Sequence, residues 1–245
     1  MAPELVNHPL ARADGSATFT NNLFTILAAV NGPVDVSRRD EIPDAAAIEV
    51  NVRPVSGTGG PRERWMESVV ASLLRTVVLV HMHPRTLIQV TLQITKDLDA
   101  DAGGVRIRSA VKDVATIPAL ANAAFAALVD SGLPLGLTMV AGLACFVENK
   151  VTATEVTGPK LAVCESVHAM VFSGSETLLL DESAGKFSVE DWEKAESAVR
   201  EYTEITLAPV GEDEAMADGQ SEDVPWLRKA LHDDARKAEA WRESG

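Results

Sequence analysis

Three arginines lie in or beside a glycine-rich segment and are candidates for contacting phosphate groups. Residues 53–64 read RPVSGTGGPRER, which places Arg53 at one end and Arg62 and Arg64 at the other. Guanidinium groups bind phosphates without reading a base sequence, and neighbouring glycines leave the backbone flexible. The alternative is that Arg62 and Arg64 only cap and solubilise the start of a helix. Both interpretations stay open at the level of sequence.

One acidic segment has alternate aspartates, as a calcium-binding loop does. Asp97, Asp99 and Asp101 would supply the first ligands. However, Ala102 stands where the sharp turn needs glycine, and Arg108 stands where a bidentate glutamate belongs. A solvated acidic loop is therefore the favoured interpretation, and no metal site is predicted.

Two histidine patterns and two cysteines also have residue types that can do chemistry. His81 and His83 are close in sequence, but no third ligand is evident, so a connector between a helix and a strand is favoured. Cys164 and His168 are four positions apart on a predicted strand, which is too far for a hydrogen bond. Cys145 and Cys164 both lie in apolar runs, so buried, reduced thiols are predicted. No cofactor is predicted.

The composition describes a globular chain whose charge is unevenly distributed. The chain has 245 residues and a net charge of −14, which argues against a free-standing nucleic-acid-binding protein. Residues 188–223 hold twelve Asp and Glu against two Lys and Arg, so the remainder is close to neutral. No signal peptide is predicted, and the most apolar region is interrupted by Asp130, Gly132 and Pro134, which argues against a membrane span. A soluble intracellular protein is predicted.

The elements that must position these residues are predicted from hydrophobic periodicity. The most apolar stretch, 114–147, is predicted as an alanine-rich helix packed between layers, a break at Ser131, and a buried strand. A second helix is predicted from Pro61 to about Val80, and a third begins at Ser188. The central helix has apolar residues at 117, 120, 121, 124, 125, 128 and 129, which gives it a continuous apolar face.

Strands are predicted on either side of these helices. They comprise a hairpin at 16–30 and strands at 34–37, 47–52, 87–96, 137–147, 161–173 and 177–180. Strands followed by a helix, twice over, indicate an α+β fold with sheets and helices in layers. The predicted organisation is one domain over residues 1–207, an acidic disordered loop at 208–224 and a C-terminal helix at 225–245.

Five short segments resemble the N-terminal half of the RNase PH family, in the family's order and with roughly its spacing. They are RADGS at 12–16, GPVDV at 32–36, AIEV at 47–50, HPRT at 83–86 and ALVDSGLP at 127–134. Together they are fairly specific, and the resemblance covers about residues 10–207. It implies an RNase PH-like fold (ribosomal protein S5 domain 2-like) with two βαβα-like halves, mixed sheets and packed helices. It also implies a six-membered ring of related subunits around a pore.

The resemblance further implies where a phosphate would bind. Active members of the family hold phosphate with a glycine-rich segment and an arginine at the start of a long helix. Alignment on Asp130 places Ile117 at the position of this arginine. An alternative alignment selects Arg106 as the phosphate ligand, but 24 positions then separate it from Asp130, considerably more than in the family pattern. Pro118 also argues against one long helix there.

A pair of catalytic aspartates and a further arginine are also implied by the resemblance, and neither is evident in this chain. No aspartate occurs between Asp130 and Asp181, and the glutamates in that interval do not reproduce the family's spacing. The catalytic arginine of the preceding helix aligns with Ser72. The site is therefore predicted to be inactive.

The resemblance favours a non-catalytic structural subunit of an RNA-degrading ring, the core of the RNA exosome, in RNA processing and degradation. Expected partners are other RNase PH-like subunits in a hetero-hexameric ring, cap subunits with S1 and KH domains, and single-stranded RNA, with no membrane. Arg53, Arg62 and Arg64 are then channel candidates, and the expected localisation is the nucleus and nucleolus, and also the cytoplasm. The alternative is an active phosphate-dependent 3′-to-5′ exoribonuclease using Arg106.

Overall fold

Two β-sheets with one long helix between them form the part of the chain that the computed structural model describes. These residues are 3–98, 107–147, 150–153, 156–207 and 226–230. The family resemblance predicts this layered α+β arrangement, and the observed sheets and helices agree with it.

The first sheet is built from the N-terminal half. Its strands are β1 (Glu4–Asn7), β2 (Gly15–Thr20), β3 (Thr25–Asp35), β4 (Ala47–Arg53) and β5 (Thr86–Lys96), in the spatial order β1-β2-β3-β5-β4. β4 is parallel to β5, and the other neighbours are antiparallel. Helix α1 (Pro61–Val77) makes the crossover from β4 to β5 and packs against β4.

The second sheet is antiparallel. Its strands are β6 (Met139–Val147), β7 (Lys150–Thr152), β8 (Ser166–Ser173) and β9 (Leu178–Gly185), in the order β7-β6-β8-β9. Helix α2 (Ser109–Asp130) contacts this sheet and the first one, whereas α4 (Val189–Leu207) packs on β6 and β8. Because a helix covers each face, β6 and β8 are buried along almost their whole length. The short helix α3 (Gly158–Val163) precedes β8.

Helix α2 is the central element, as its alanine-rich sequence predicts. All but one of the residues from Val111 to Leu128 are buried, and the alanines let strands of both sheets approach the helix closely. By length and composition α2 is the one described helix that is long and apolar enough to cross a bilayer. However, 83% of its apolar window is buried inside the protein, as in the core helix of a folded domain.

The beginning of α2 differs from the prediction. The helix starts at Ser109 and continues through Pro118 to Asp130. The inference that Pro118 argues against one long helix is therefore wrong. A proline inside a helix removes one backbone hydrogen bond and costs about 3 kcal/mol. Burial of the flanking apolar turns between two sheets outweighs that local preference here, because Ile117 and Leu120 are fully buried.

Three strand boundaries also differ. Residues 34–37 do not form a separate strand, because β3 continues to Asp35 with a shift of register between Asn31 and Val34. Residues 161–163 belong to α3 rather than to a strand, and Pro159 suits the first turn of this helix. β9 extends to Gly185, and its polar residues are tolerated because it is an edge strand whose side chains are half-buried or exposed.

The C-terminal region is described over one helical turn. The predicted loop at 208–224 and residues 231–245 of the predicted helix lie outside the described residues. Residues 226–230 are helical, and Trp226 is 9% exposed. Its indole Nε1 donates a hydrogen bond to the hydroxyl of Tyr202 at 3.0 Å, and its ring meets the edge of Phe19 at 5.1 Å. This turn therefore packs on both β2 and α4.

Candidate nucleic-acid interface

The segments that carry the family resemblance contact one another through two aspartates. Asp14 Oδ2 accepts a hydrogen bond from the backbone N–H of Gly32 at 2.8 Å. Asp130 Oδ2, at the end of α2, accepts one from the backbone N–H of Ser16 at 2.7 Å. Three of the five segments are thus joined by short hydrogen bonds to carboxylates, which are stronger than neutral ones. Their contribution in this chain is to hold the first sheet against α2.

Two further features lie where β2 meets the end of α2. A Cβ atom on Gly15 would lie 2.3 Å from the carbonyl oxygen of Ala127 and 2.4 Å from the backbone nitrogen of Ser131. Glycine is therefore required here because β2 and the end of α2 approach each other so closely. The Nδ1 atom of His8 lies 3.0 Å from Asp130 Oδ2 and links the residue after β1 to the same carboxylate.

The alternative alignment places a phosphate site at the start of α2, and two basic side chains near this point are engaged by carboxylates. Arg62 of α1 forms an ion pair with Asp113 through Nε and Oδ1. Lys112 Nζ lies 2.7 Å from Asp97 Oδ2, and the Lys112 side chain is only 9% exposed. A phosphate at this point would have to compete with both carboxylates for these cations.

Burial affects the Arg62–Asp113 pair directly. Removal of Asp113 from water raises the pKa of its carboxyl, while the charge and hydrogen bond of Arg62 act in the opposite direction. The side chains are 34% and 21% exposed, respectively, so the pair is partly shielded from solvent. Arg62 therefore links α1 to α2 through this ion pair.

Arg108, at the N-cap of α2, is also engaged by the protein. Its guanidinium donates hydrogen bonds to the carbonyl oxygens of Cys164 and Glu165, at 2.5 and 3.3 Å. These bonds tie the start of α2 to the segment that leads into β8. The three described cations near this helix terminus, Arg62, Lys112 and Arg108, all have partners within the chain.

The two positions considered for the phosphate-binding arginine, Ile117 and Arg106, differ in their place relative to α2. Ile117 is fully buried and sits more than two turns inside α2. Arg106 lies outside the described residues, but only two residues separate it from Ser109, where α2 begins. A helix N-terminus therefore follows Arg106 closely, which removes the objection based on Pro118. Arg106 and Asp130 are 24 positions apart, and α2 occupies 22 of these positions, so the interval stays longer than in the family pattern.

The three channel candidates lie at the end of β4 and in the first turn of α1. Arg53 is the last residue of β4, and it is exposed, as is Arg64 in the first turn of α1. Glu67 Oε1 accepts a hydrogen bond from the backbone N–H of Val52 at 2.9 Å, which holds the end of β4 beside α1. Arg53 therefore lies at the end of β4 and Arg64 at the start of α1, while Arg62 pairs with Asp113 of α2. Their contact with RNA stays a prediction.

The other sequence motifs do not assemble into sites. Cys164 Sγ donates to the carbonyl oxygen of Leu161 at 3.1 Å, and His168 bonds to Ser166 and Ser183. The prediction that Cys164 and His168 are not paired is therefore confirmed. Both cysteines are buried and free, and burial raises the pKa of Cys145 to about 11.

The two metal motifs have different surroundings. His81 is exposed in a short 3₁₀ turn before β5, and Asp97 pairs with Lys112. Asp99 and Asp101 lie outside the described residues. Within the ranges that the structure covers, no three His, Cys, Asp or Glu side chains converge as metal ligands would.

Sequence reasoning missed two residues that the structure makes prominent. Asn122, on the buried face of α2, donates to the carbonyl oxygen of Ala141 and accepts from its N–H, both at 2.9 Å. A single amide in an alanine-rich apolar face is the signal that could have identified it. Trp65 is 37% exposed on α1, and its placement beside Arg64 is visible in the sequence.

Known proteins resemble this chain in amino-acid sequence. The chain matches the sequence model of the 3′ exoribonuclease family, domain 1 (RNase PH), over residues 6–134. It is 33% identical over 187 residues to "Exosome complex component rrp46" of Schizosaccharomyces pombe, across 75% of this chain and 76% of that protein. It is 34% identical over 128 residues to "Exosome complex exonuclease RRP46 homolog" of Oryza sativa, across 52% of this chain and 48% of that protein.

A solved structure has the same fold as this chain. The crystal structure of rice Rrp46 superposes with a TM-score of 0.69 at 28% sequence identity, over 82% of this chain and 89% of that one. The family model covers more than half of the present chain and includes all five segments that carry the resemblance. This chain therefore belongs to the RNase PH family of 3′ exoribonucleases.

Proposed function

We propose that this chain is a non-catalytic subunit of an RNA exosome core ring that contributes to the channel through which single-stranded RNA passes. Its relatives named Rrp46 are components of an exosome complex, which supports an exosome assignment for this chain. Ring neighbours would be other RNase PH-like subunits, and cap subunits with S1 and KH domains would lie above them. The corresponding localisation is the nucleus and nucleolus, and also the cytoplasm.

The burial of Ile117 is the observation that carries the non-catalytic part of the proposal. Phosphorolysis requires a cation at the phosphate and carboxylates near the scissile linkage. At the aligned position this chain has an apolar side chain with no exposed surface. Arg62, Lys112 and Arg108 are nearby but already have partners, and no aspartate occurs between Asp130 and Asp181.

The edges of both sheets support assembly into a ring. β4 and β9 are last in their sheets and, among the described strands, each pairs on one side only. β9 presents half-buried leucines at 178, 179 and 180 on such an edge. An unpaired apolar edge is a site for pairing with another chain. We therefore expect the isolated chain to aggregate more readily than the chain bound to related subunits.

The test is an RNA degradation assay on the purified chain. Single-stranded RNA, magnesium and phosphate are supplied, and nucleoside diphosphates are measured. No release is expected from the chain alone, whereas mixing it with related RNase PH-like subunits should give a ring-sized species on gel filtration. Release of nucleoside diphosphates, or failure to join such a ring, would contradict the proposal.

A second candidate function is an active phosphate-dependent 3′-to-5′ exoribonuclease with Arg106 as the phosphate ligand. It is favoured by the unbroken course of α2, which places a helix N-terminus just after Arg106. Arg106→Ala should then abolish phosphate-dependent release, while Lys194→Ala serves as an exposed control on α4. Release without phosphate that EDTA inhibits would instead indicate a metal-dependent nuclease.

A further inference from the structure

The solvent face of α1 differs in charge from the chain as a whole. The helix residues exposed to solvent are Pro61, Arg64, Trp65, Ser68, Ser72, Arg75 and Thr76. In a chain with a net charge of −14, this face carries two arginines, three hydroxyls, one indole and no carboxylate. Such a face complements an anionic partner.

The absence of exposed carboxylates on α1 has a structural cause. Both glutamates of the helix are turned toward the chain segment before it. Glu63 Oε2 accepts a hydrogen bond from the backbone N–H of Gly60 at 2.7 Å, and Glu67 Oε1 accepts one from Val52 at 2.9 Å. Their acceptor atoms are therefore used in fixing the loop and the end of β4.

Trp65 is placed differently from the other described tryptophans. Trp192 donates its indole N–H to Asp181 at 2.8 Å, and Trp226 donates to Tyr202 at 3.0 Å. The indole N–H of Trp65 has no hydrogen-bond partner in the described ranges, and 37% of this residue is exposed. An exposed ring with a free polar edge is suited to stacking against another planar group.

Arg64 and Arg75 lie on the same face of α1 as the Trp65 ring. Arg64 is the neighbour of Trp65, and Arg75 lies three turns further along the same face. Eleven residues of α-helix span about 16 Å, so the two guanidinium groups can reach different phosphates of one strand. Ser68 and Ser72 lie between them as hydroxyl donors. Among the described residues, neither arginine has an ion-pair partner.

We propose that this face of α1 binds single-stranded RNA, with Trp65 stacked on a base and Arg64 and Arg75 on flanking phosphates. The proposal rests on the channel function proposed above and adds base stacking to it. Stacking on an aromatic ring is tolerant of sequence, because every base has a π face. This property suits a subunit that handles RNA of any sequence.

The experiment distinguishes contacts with bases from contacts with phosphates. The full chain is titrated, alone and in the reconstituted ring, into a labelled oligoadenylate and into the same oligomer with abasic sites, with fluorescence anisotropy as the measurement. Trp65→Ala should weaken binding to oligoadenylate about tenfold and leave binding to the abasic oligomer nearly unchanged. Trp65→Phe, which keeps a ring, should retain most of the affinity and guards against loss of folding.

Substitution of the two arginines provides a second measurement. Arg64→Gln and Arg75→Gln should weaken binding to both oligomers and reduce the dependence of affinity on salt, because each removes a phosphate contact. Lys194→Gln on α4 and Trp192→Phe are matched controls and should change neither value. Equal losses on the two oligomers for Trp65→Ala, or no loss at all, would overturn the proposal.

Two outcomes distinguish this proposal from the function on which it rests. If the wild-type chain releases nucleoside diphosphates, the non-catalytic assignment fails, while a base-dependent loss in Trp65→Ala still supports stacking. If Trp65→Ala prevents ring assembly but leaves RNA binding by the free chain intact, the face binds a neighbouring protein and the stacking proposal is overturned.

Discussion

His168 is a buried histidine whose protonation state is defined by its neighbours. Ser183 donates its hydroxyl proton to Asp181, so its oxygen accepts the Nδ1–H of His168 at 2.8 Å. The other ring nitrogen, Nε2, then accepts from the hydroxyl of Ser166 at 3.1 Å. The rings of Phe146 and Phe187 meet the imidazole nearly edge-on. This surrounding favours the neutral imidazole.

The stability of the protein should therefore depend on pH through His168. Burial lowers the pKa of His168 below its ordinary value of 6.5, although Asp181 and Asp191 oppose the shift. The unfolded chain binds a proton below pH 6.5 more readily than the folded one, so the free energy of unfolding should fall as the pH drops from 6.5 toward the folded pKa. Urea unfolding at several pH values measures this dependence.

A variant isolates the contribution of His168 from that of other titrating groups. His168→Gln keeps a polar side chain but cannot titrate, so the decline in stability below pH 6.5 should be shallower than in the wild type. Ser68→Ala, at an exposed position without an ionisable group, should leave the pH dependence unchanged. Identical pH profiles for His168→Gln and the wild type would contradict the assignment.

At the scale of elements, Asn122 joins α2 to β6 through both polar groups of its amide. β7 pairs with β6 only from Cys145 to Val147, so the backbone of Ala141 has no strand partner on that side. Asn122→Leu would leave the N–H and carbonyl of Ala141 buried without partners, at a cost of about 3 kcal/mol. Chemical denaturation measures the loss, and Asn51→Ala, whose amide bonds to Glu49 in an exposed pair, should cost under about 0.5 kcal/mol.

The sequence predicted those elements whose local pattern and tertiary role agree. The helix from Pro61 and the strand 87–96 were placed within a few residues, because proline at the first turn and strict alternation are local signals. The start of α2 was missed because Pro118 disfavours a helix locally, and only burial between two sheets compensates. The helical residues 161–163 were assigned to a strand because a short apolar run fits either structure.

The candidate site was predicted less completely than the fold. Alignment placed Ile117 at the family's arginine, and its complete burial agrees with an apolar role. The ion pair of Arg62 with Asp113 was not foreseen, because partners on different helices leave no periodic signal in the sequence. The interior orientation of Glu63 and Glu67 was hidden for the same reason, so the basic character of the α1 face emerged only from the structure.

For the whole molecule, the turn at 226–230 links the two halves. Trp226 contacts Phe19 of the first sheet and Tyr202 of α4, which covers the second. Trp226→Ala removes both contacts and should lower the free energy of unfolding by about 3 kcal/mol. Trp226→Phe keeps a ring and should lose only about 1 kcal/mol. Thermal unfolding of the two variants tests this order, and equal losses would contradict it.

Helix α2 contacts strands of both sheets along its length. Residues of α2 and of both sheets form one continuous hydrophobic core, so we expect neither sheet to bury its inner face without this helix. We therefore expect that the two halves do not fold independently. Cleavage of the chain between α2 and β6 would leave the second sheet without its central partner, so the described domain should unfold in a single cooperative transition.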